Sequence, residues 1–431
     1  MTASLIGFAA LFVLSFIGVP LAVALLLVGT VGFAYFRGWE ASSAVVGTQL
    51  TDAISSYGFS VIPLFVLMGA FIYRAGLAGD LFAAARAWLG HYRGGIAHAT
   101  IGASGAFSAV SGSSVATAAT ISRVSLPELK RYGYRDSFAC AAVAAGGTLG
   151  ILIPPSVPLV LYGIITENDI AALFMAALVP GLMLALLYML AAWLMVYFRP
   201  DMGRPAEALP MRDKARSLKK TWMVAALFLL VLGGMYSGVF TPTEAAGCGA
   251  AGALVMMAIR GCANRTQIGE ALVDTMMTTG SLLLVMGAAL VFNNFLTIAG
   301  LTAQLVQWIQ ALNVPPVGVI VGICVIYILL GCVFDSLAAM VLTVPVFTPL
   351  VVGLGYDPIW FGVIVALVVE LGLITPPLGM NVFIVQRLAP GRVTIWQVFG
   401  AMTIFVAANL VAVVLLILFP PLATFLPDIL N

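Results

Sequence analysis

Leu149–Ser156 reads LGILIPPS, and Leu371–Leu378 reads LGLITPPL. The two octapeptides lie 222 residues apart, and each sets a glycine and a Pro-Pro pair inside an apolar run, where both residue types disfavour a continuous helix. Pro155 has no backbone N–H, and its ring crowds the carbonyl four residues back, so carbonyls around Ile151 lose their helical partners. The same holds for Leu373 ahead of Pro377. Ala144–Gly150, AAGGTLG, gives the first break the freedom to bend.

The surrounding composition places these breaks in a bilayer. Of 431 residues 62% are hydrophobic and 8% charged, against the quarter or so charged in an ordinary soluble domain. A net charge of +2 offers no basic tract for nucleic acid. Cys140, Cys248, Cys262, Cys324 and Cys332 follow neither a metal-ligand spacing nor a secreted disulfide pattern, so they read as small core residues. No G-x-x-x-x-G-K loop is present, which argues against direct drive by ATP. The N-terminal apolar run lacks a basic n-region and exceeds the ~7–15 residues of a signal-peptide core, so it reads as a membrane span.

A crossing takes about twenty apolar residues. Runs near 5–36, 57–75, 135–166, 169–198, 221–240, 243–260, 268–298, 358–388 and 394–427 predict about nine full spans. Residues 94–131 and 315–351 are too long for one crossing and carry SGSS (Ser111–Ser114) and GCVFDS (Gly331–Ser336) at their centres, which predicts two re-entrant hairpins. Segments 77–93 and 301–312 mix polar and apolar residues at helical spacing and should lie along the interface. Glu244, in TPTEAAG, should cap a helix start.

With the N-terminus inside and each hairpin returning to its own side, segments 74–93, 123–136, 199–220, 260–265 and 387–392 face the cytoplasm. They hold 18 of the 19 Lys and Arg residues and leave only Arg37 outside, as the positive-inside rule asks. The first hairpin then opens to the cytoplasm, the second to the other side, and the C-terminus lies outside.

A gapless comparison at the 222-residue offset pairs Ser114 with Ser336, Pro127 with Pro349, Gly133-Tyr134 with Gly355-Tyr356, and Pro154-Pro155 with Pro376-Pro377. Because the two copies start from opposite sides, the chain holds an inverted-topology repeat, an architecture of secondary transporters. Unwound backbone at membrane depth must be buried or line a cavity. Two breaks and two polar tips therefore outline a midplane site, with Ser111, Gly112, Ser113, Ser114, Gly331, Asp335 and Ser336 at the tips and Thr148, Thr375 and Asn381 at the breaks. Such oxygen-rich ligands suit Na+ better than a transition metal, and N–H groups at the tips suit an anion. Asp335 stands where the first repeat has Ser113, so the tips differ by one negative charge. Glu370, inside a span two residues before Gly372, reads equally as site support or as a structural hydrogen-bond partner.

These residues, in SGSSVATAATI, GYRDSFACAAVAAGGTLGILIPPS, FTPTEAAGCGA and VELGLITPPLGMNVFIV, closely resemble the large membrane subunit of the tripartite ATP-independent periplasmic (TRAP) transporters, over nearly the whole chain. The resemblance implies an all-α, elevator-type secondary transporter that imports an organic acid with Na+, without other cofactor and without catalysis. It implies two partners, a periplasmic substrate-binding protein and a small four-span membrane subunit on a separate chain, in a bacterial or archaeal cytoplasmic membrane. One sodium site would draw on Ser111, Gly112, Ser113, Gly146, Thr148 and Gly150, the other on Gly331, Asp335, Ser336, Gly372 and Thr375. Ser113, Ser114, Pro155, Ser156, Asp335 and Asn381 would flank the substrate. The expected division is 1–93 scaffold, 94–166 transport domain, 167–314 scaffold with the cytoplasmic loop 199–220, 315–388 transport domain, and 389–431 a final span. Two rival readings share these features: a stand-alone sodium- or proton-coupled anion carrier, and an intramembrane hydrolase using Ser113 or Asp335 with His98.

Overall fold

A computed structural model describes residues 2–311, 314–389, 391 and 393–430, and the secondary structure among them is helical. The first half comprises α1 (Thr2–Phe16), α2 (Leu21–Arg37), α3 (Trp39–Ser55), α4 (Val61–Arg74), α5 (Leu77–Leu89), α6 (Gly95–Ser111), α7 (Ser114–Arg131), α8 (Asp136–Leu152), α9 (Val157–Thr166) and α10 (Ile170–Phe198). The polar helix α11 (Met211–Lys220) leads to α12 (Trp222–Phe228), which continues through a π-helical turn at Leu229–Gly233 into α13 (Gly234–Tyr236). Then follow α14 (Pro242–Ile259), α15 (Arg265–Ile298), α16 (Leu301–Ala311), α17 (Pro316–Gly331), α18 (Ser336–Gly353), α19 (Pro358–Leu373), α20 (Met380–Leu388), α21 (Ile395–Leu418) and α22 (Pro421–Leu430).

The repeat runs through the whole chain, well beyond the block legible as sequence identity. Helices α2 and α5–α10 return as α14 and α16–α21, each start displaced by 221 to 225 residues. Helices α3 and α4 together occupy the place of the single long helix α15, and α1 that of α12–α13. The copies are inverted. Arg86 pairs with Glu128 at 2.8 Å, Arg135 with Asp201 at 2.5 Å, Arg74 with Asp274 at 2.8 Å and Arg260 with Asp80. The Trp88 indole donates to the Lys214 carbonyl at 3.2 Å, and Gly391 backs onto the Asp136 carboxylate. These contacts gather all the basic segments expected on one side, with the α7–α8 junction among them. The equivalent α18–α19 junction lies at the opposite end, where the Tyr162 hydroxyl donates to the Pro358 carbonyl at 2.6 Å and the Trp360 indole to that of Leu416 at 2.9 Å.

The N-terminal span differs from the sequence expectation. Residues 5–36 form two antiparallel helices folded back at Ile17–Pro20, where Gly18 has φ +95°. Thr2 and Phe36 line one cavity, and the Phe295 ring fills the space that a side chain at Gly7 of α1 or Gly32 of α2 would occupy. Proline at position 20 lacks the N–H that a continuing helix needs. The N-terminus therefore shares a side with Arg37, where the sequence had placed them on opposite sides.

The span count changes with it. Among the described residues seven helical stretches are long and apolar enough to cross a bilayer, or eight with the bent pair Met211–Lys220 and Trp222–Tyr236; α1, α2, α17 and α19 are apolar but shorter. The final span ends at Leu418, before Pro420, and α22 turns aside to pack near α10. The surface helices expected at 77–93 and 301–312 are present as α5 and α16; Leu312 lies outside the described residues. Helix α3, which packs on α2 and α15, was not anticipated. Cys140, Cys324 and Cys332 are buried as expected, whereas Cys248 and Cys262 are partly exposed. Glu244 caps α14 in a reciprocal box with Thr241, accepting from its N–H at 2.8 Å and its hydroxyl at 2.9 Å.

A labelling experiment checks the N-terminal correction. In a chain cleared of native cysteines, Thr2→Cys and Glu40→Cys should react with an impermeant maleimide from the same side of the membrane, opposite to Ser217→Cys. Reaction of Thr2→Cys and Ser217→Cys from one side would restore the single crossing.

Candidate functional site

Each hairpin tip docks on the helix break of its own repeat. Gly112, at φ +60°, turns α6 into α7, and its carbonyl accepts the Val157 N–H at 3.3 Å. A Cβ on Gly150 would stand 2.7 Å from the Ser113 carbonyl carbon and oxygen, so only glycine lets the break approach the tip this closely. In the second repeat a Cβ on Gly372 would stand 2.5 Å from the Gly331 Cα. Both Pro-Pro bonds are cis, and Gly379 opens α20 at φ +56°.

Between the tips lies a cavity of about 380 Å³. Ser113 and Ser114 enter it from the first tip, Asp335 and Ser336 from the second, and Ile151 and Pro158 from the first break. Helix α15 closes one wall with Thr278, Ser281 and Leu282. Ser113 and Asp335 hold equivalent places as N-caps of α7 and α18, and the Ser113 hydroxyl accepts the Ala116 N–H at 3.4 Å. The charge difference between the tips thus faces a shared space.

The repeats also interlock. The Ser114 hydroxyl donates to Glu370 Oε2 at 2.9 Å and accepts from Asn381 Nδ2 at 2.6 Å, which ties the first tip to the second break. Glu370 and Asn381 are wholly buried, and Glu370 Oε1 and Asn381 Oδ1 have no partner among the described residues. Thr148, which precedes Glu370 by 222 residues, bonds instead to the Ala145 carbonyl and, at 2.9 Å, to the Tyr188 hydroxyl, which in turn accepts from Asn409 at 3.1 Å.

Of the residues read from the sequence, Ser111, Gly112, Ser113 and Gly150 come together at the first tip, and Gly331 meets Gly372 at the second. The Ser111 hydroxyl is shared with Thr117 at 2.7 Å. Several of the predicted residues do not line the cavity. Gly146 packs against Ser104, Thr148 turns toward α10, the Thr375 hydroxyl donates to the Leu371 carbonyl at 2.6 Å, and Ser156 caps α9 through the Leu159 N–H. The Pro155 carbonyl lies against Gly112. Thr278 and Ser281 were missed; the polar pair inside the apolar TMMTTGSLLLV was the available signal.

His98 takes no part in the cavity. Its Nε2 lies 2.9 Å from the Met189 carbonyl, and the residue stands fourteen positions, roughly 20 Å of helix, before Gly112. The hydrolase reading therefore lacks its histidine beside Ser113 or Asp335.

The fold has a solved counterpart in the YdaH transporter of Alcanivorax borkumensis, at a TM-score of 0.64 and 17% identity, covering 98% of this chain and 99% of that one. In sequence the chain is 34% identical over 337 residues to the C4-dicarboxylate TRAP transporter large permease protein DctM of Pseudomonas aeruginosa, covering 78% of each. It is 30% identical over 425 residues to the ectoine/5-hydroxyectoine large permease UehC of Ruegeria pomeroyi, covering 98% of each. It is 33% identical to the isethionate permease DctMQ of Oleidesulfovibrio alaskensis over 90% of this chain but 61% of that protein's length. The family model described as "Tripartite ATP-independent periplasmic transporter, DctM component" matches residues 8–422. A match of that extent, on a fold whose two tips border one cavity, means that the chain belongs to the DctM family and is a transporter permease, not an enzyme.

Proposed function

We propose that this chain imports an organic acid by Na+-coupled secondary transport, receiving it from an extracytoplasmic binding protein and working with a small membrane subunit. The observation that carries the reading is the cavity shared by the two tips, where hydroxyls and a single carboxylate, Asp335, meet beside interrupted helices. The tip–break pairs, Ser111–Ser113 with Gly150 and Gly331 with Gly372, are the places for the two sodium ions. Ser113, Ser114, Asp335 and Ser336 face the acid. The named relatives handle a C4-dicarboxylate, isethionate and ectoine, and each of these carries an acid group.

In this reading residues 94–166 and 315–388 move as the elevator against the remaining helices. The gathered basic end faces the cytoplasm of a bacterial or archaeal cell. Arg37, and with it the N-terminus, then faces outward, as does the C-terminus.

Liposomes containing the chain, its small membrane partner and its binding protein should take up one of a panel of labelled organic acids (succinate, isethionate, N-acetylneuraminate) under an inward Na+ gradient. Uptake should stop without the binding protein. Undiminished uptake by the membrane chains alone, or with K+ replacing Na+ on both sides, would replace this reading with a stand-alone or proton-coupled carrier.

A further inference from the structure

A second cavity, of about 420 Å³, continues from the tip cavity and shares Val66, Ser113, Val115, Val157 and Thr278 with it. It runs between α4 and α15 on one side and α6 and α7 on the other, and at its far end it is lined by Arg74, Arg123 and Asp274. Arg123 lies nine residues after Ser114 on α7, about 13 Å along the helix. This is the basic end of the molecule.

The two arginines are in different states. Arg74 is neutralised by Asp274 at 2.8 Å and by Glu270 at 3.5 Å. Arg123 forms no ion pair among the described residues; its Nη1 donates to the Tyr73 hydroxyl at 2.8 Å, across the cavity on α4. Glu270 lies outside the cavity lining, within which Arg74 and Asp274 cancel and Arg123 adds one positive charge; its other N–H groups form a fork that matches a carboxylate or sulfonate. The repeat has no counterpart, since position 345, which matches Arg123 at the 222-residue offset, is proline. The cation belongs to one face of the transport path only.

We infer that Arg123 is an anion-binding subsite on the cytoplasmic half of the path, where it receives the acid group of the substrate as it leaves the tips. The inference rests on the import reading above and on the basic end facing the cytoplasm. The substrate anion displaces the Tyr73 hydroxyl from the guanidinium, so occupancy loosens a contact between α7 and α4.

The test uses the assembled transporter in liposomes preloaded with the unlabelled panel acid that the wild type takes up. The lumenal concentration that halves uptake should rise about tenfold in Arg123→Gln, the effect of losing one charge-assisted pair. In Tyr73→Phe, which keeps the charge, it should stay near the wild-type value. Apparent affinity for the loaded binding protein at the outer face should be unchanged in both variants, which a general packing defect would not allow. Wild-type lumenal inhibition in Arg123→Gln, or no lumenal inhibition in the wild type, overturns the assignment. If the wild type takes up no acid on the panel, the import reading fails, and a second measurement still decides the subsite. Phenylglyoxal modification of the detergent-solubilised full chain, resolved by peptide mass spectrometry, should be slowed by succinate at Arg123 but not at Arg74; equal rates with and without succinate overturn it.

Discussion

Alanine at Gly372 should abolish most uptake while leaving the protein folded. Its Cβ would meet Gly331 Cα at 2.5 Å, Gly331 C at 2.6 Å and Cys332 N at 3.0 Å. All three are backbone atoms, so no rotamer change relieves the overlap. The second tip must retreat by roughly 1 Å from the break, a displacement that costs a positioned site about a hundredfold in rate. Gly150→Ala should act alike on the first tip, because its Cβ would stand 2.7 Å from the Ser113 carbonyl and 2.8 Å from Ser114 N. Gly322→Ala, on α17 with nothing within 4 Å, is the control and should transport normally. Uptake by size-exclusion-verified protein in liposomes decides it, and Gly372→Ala within twofold of wild type would show that close docking of tip and break is not required.

The second large effect falls on stability. Glu370→Ala removes a wholly buried side chain, opens a void, and takes away the acceptor of the Ser114 hydroxyl. Lost packing and an orphaned donor together cost about 3–5 kcal/mol. Glu370→Gln preserves the volume and an oxygen for Ser114, so it should cost a small part of that. Thermal unfolding of the purified chain in detergent should rank wild type and Glu370→Gln well above Glu370→Ala. Equal losses in the two variants would mean that the Ser114–Glu370–Asn381 link contributes little, and that the carboxylate itself matters for another reason.

The sequence by itself determined the solvent, the two hairpins, the two broken helices and the gathering of the basic segments at one end. Those signals are local or one-dimensional: apolar run length, a proline's missing N–H, a glycine's freedom, and the clustering of Lys and Arg. Family membership was legible for the same reason, since its motifs are the tips and breaks themselves. The turn at Ile17–Pro20 was not, because a Gly-Val-Pro step inside thirty apolar residues fits a kink as well as a reversal, and only the Phe295 ring packed between Gly7 and Gly32 selects the reversal. The full extent of the repeat was hidden because α1–α6 and their counterparts keep helix lengths and places while their side chains diverge.

Tertiary structure also decided which polar groups of the breaks face the tips. Thr148 and Glu370 are equivalent by position, yet one turns to Tyr188 and the other to Ser114, 256 residues away in sequence. Sequence fixes that a polar group sits on a turn of helix, but its partner depends on which helix packs against that turn. That choice is made when the two repeats interlock, and neither repeat carries it alone.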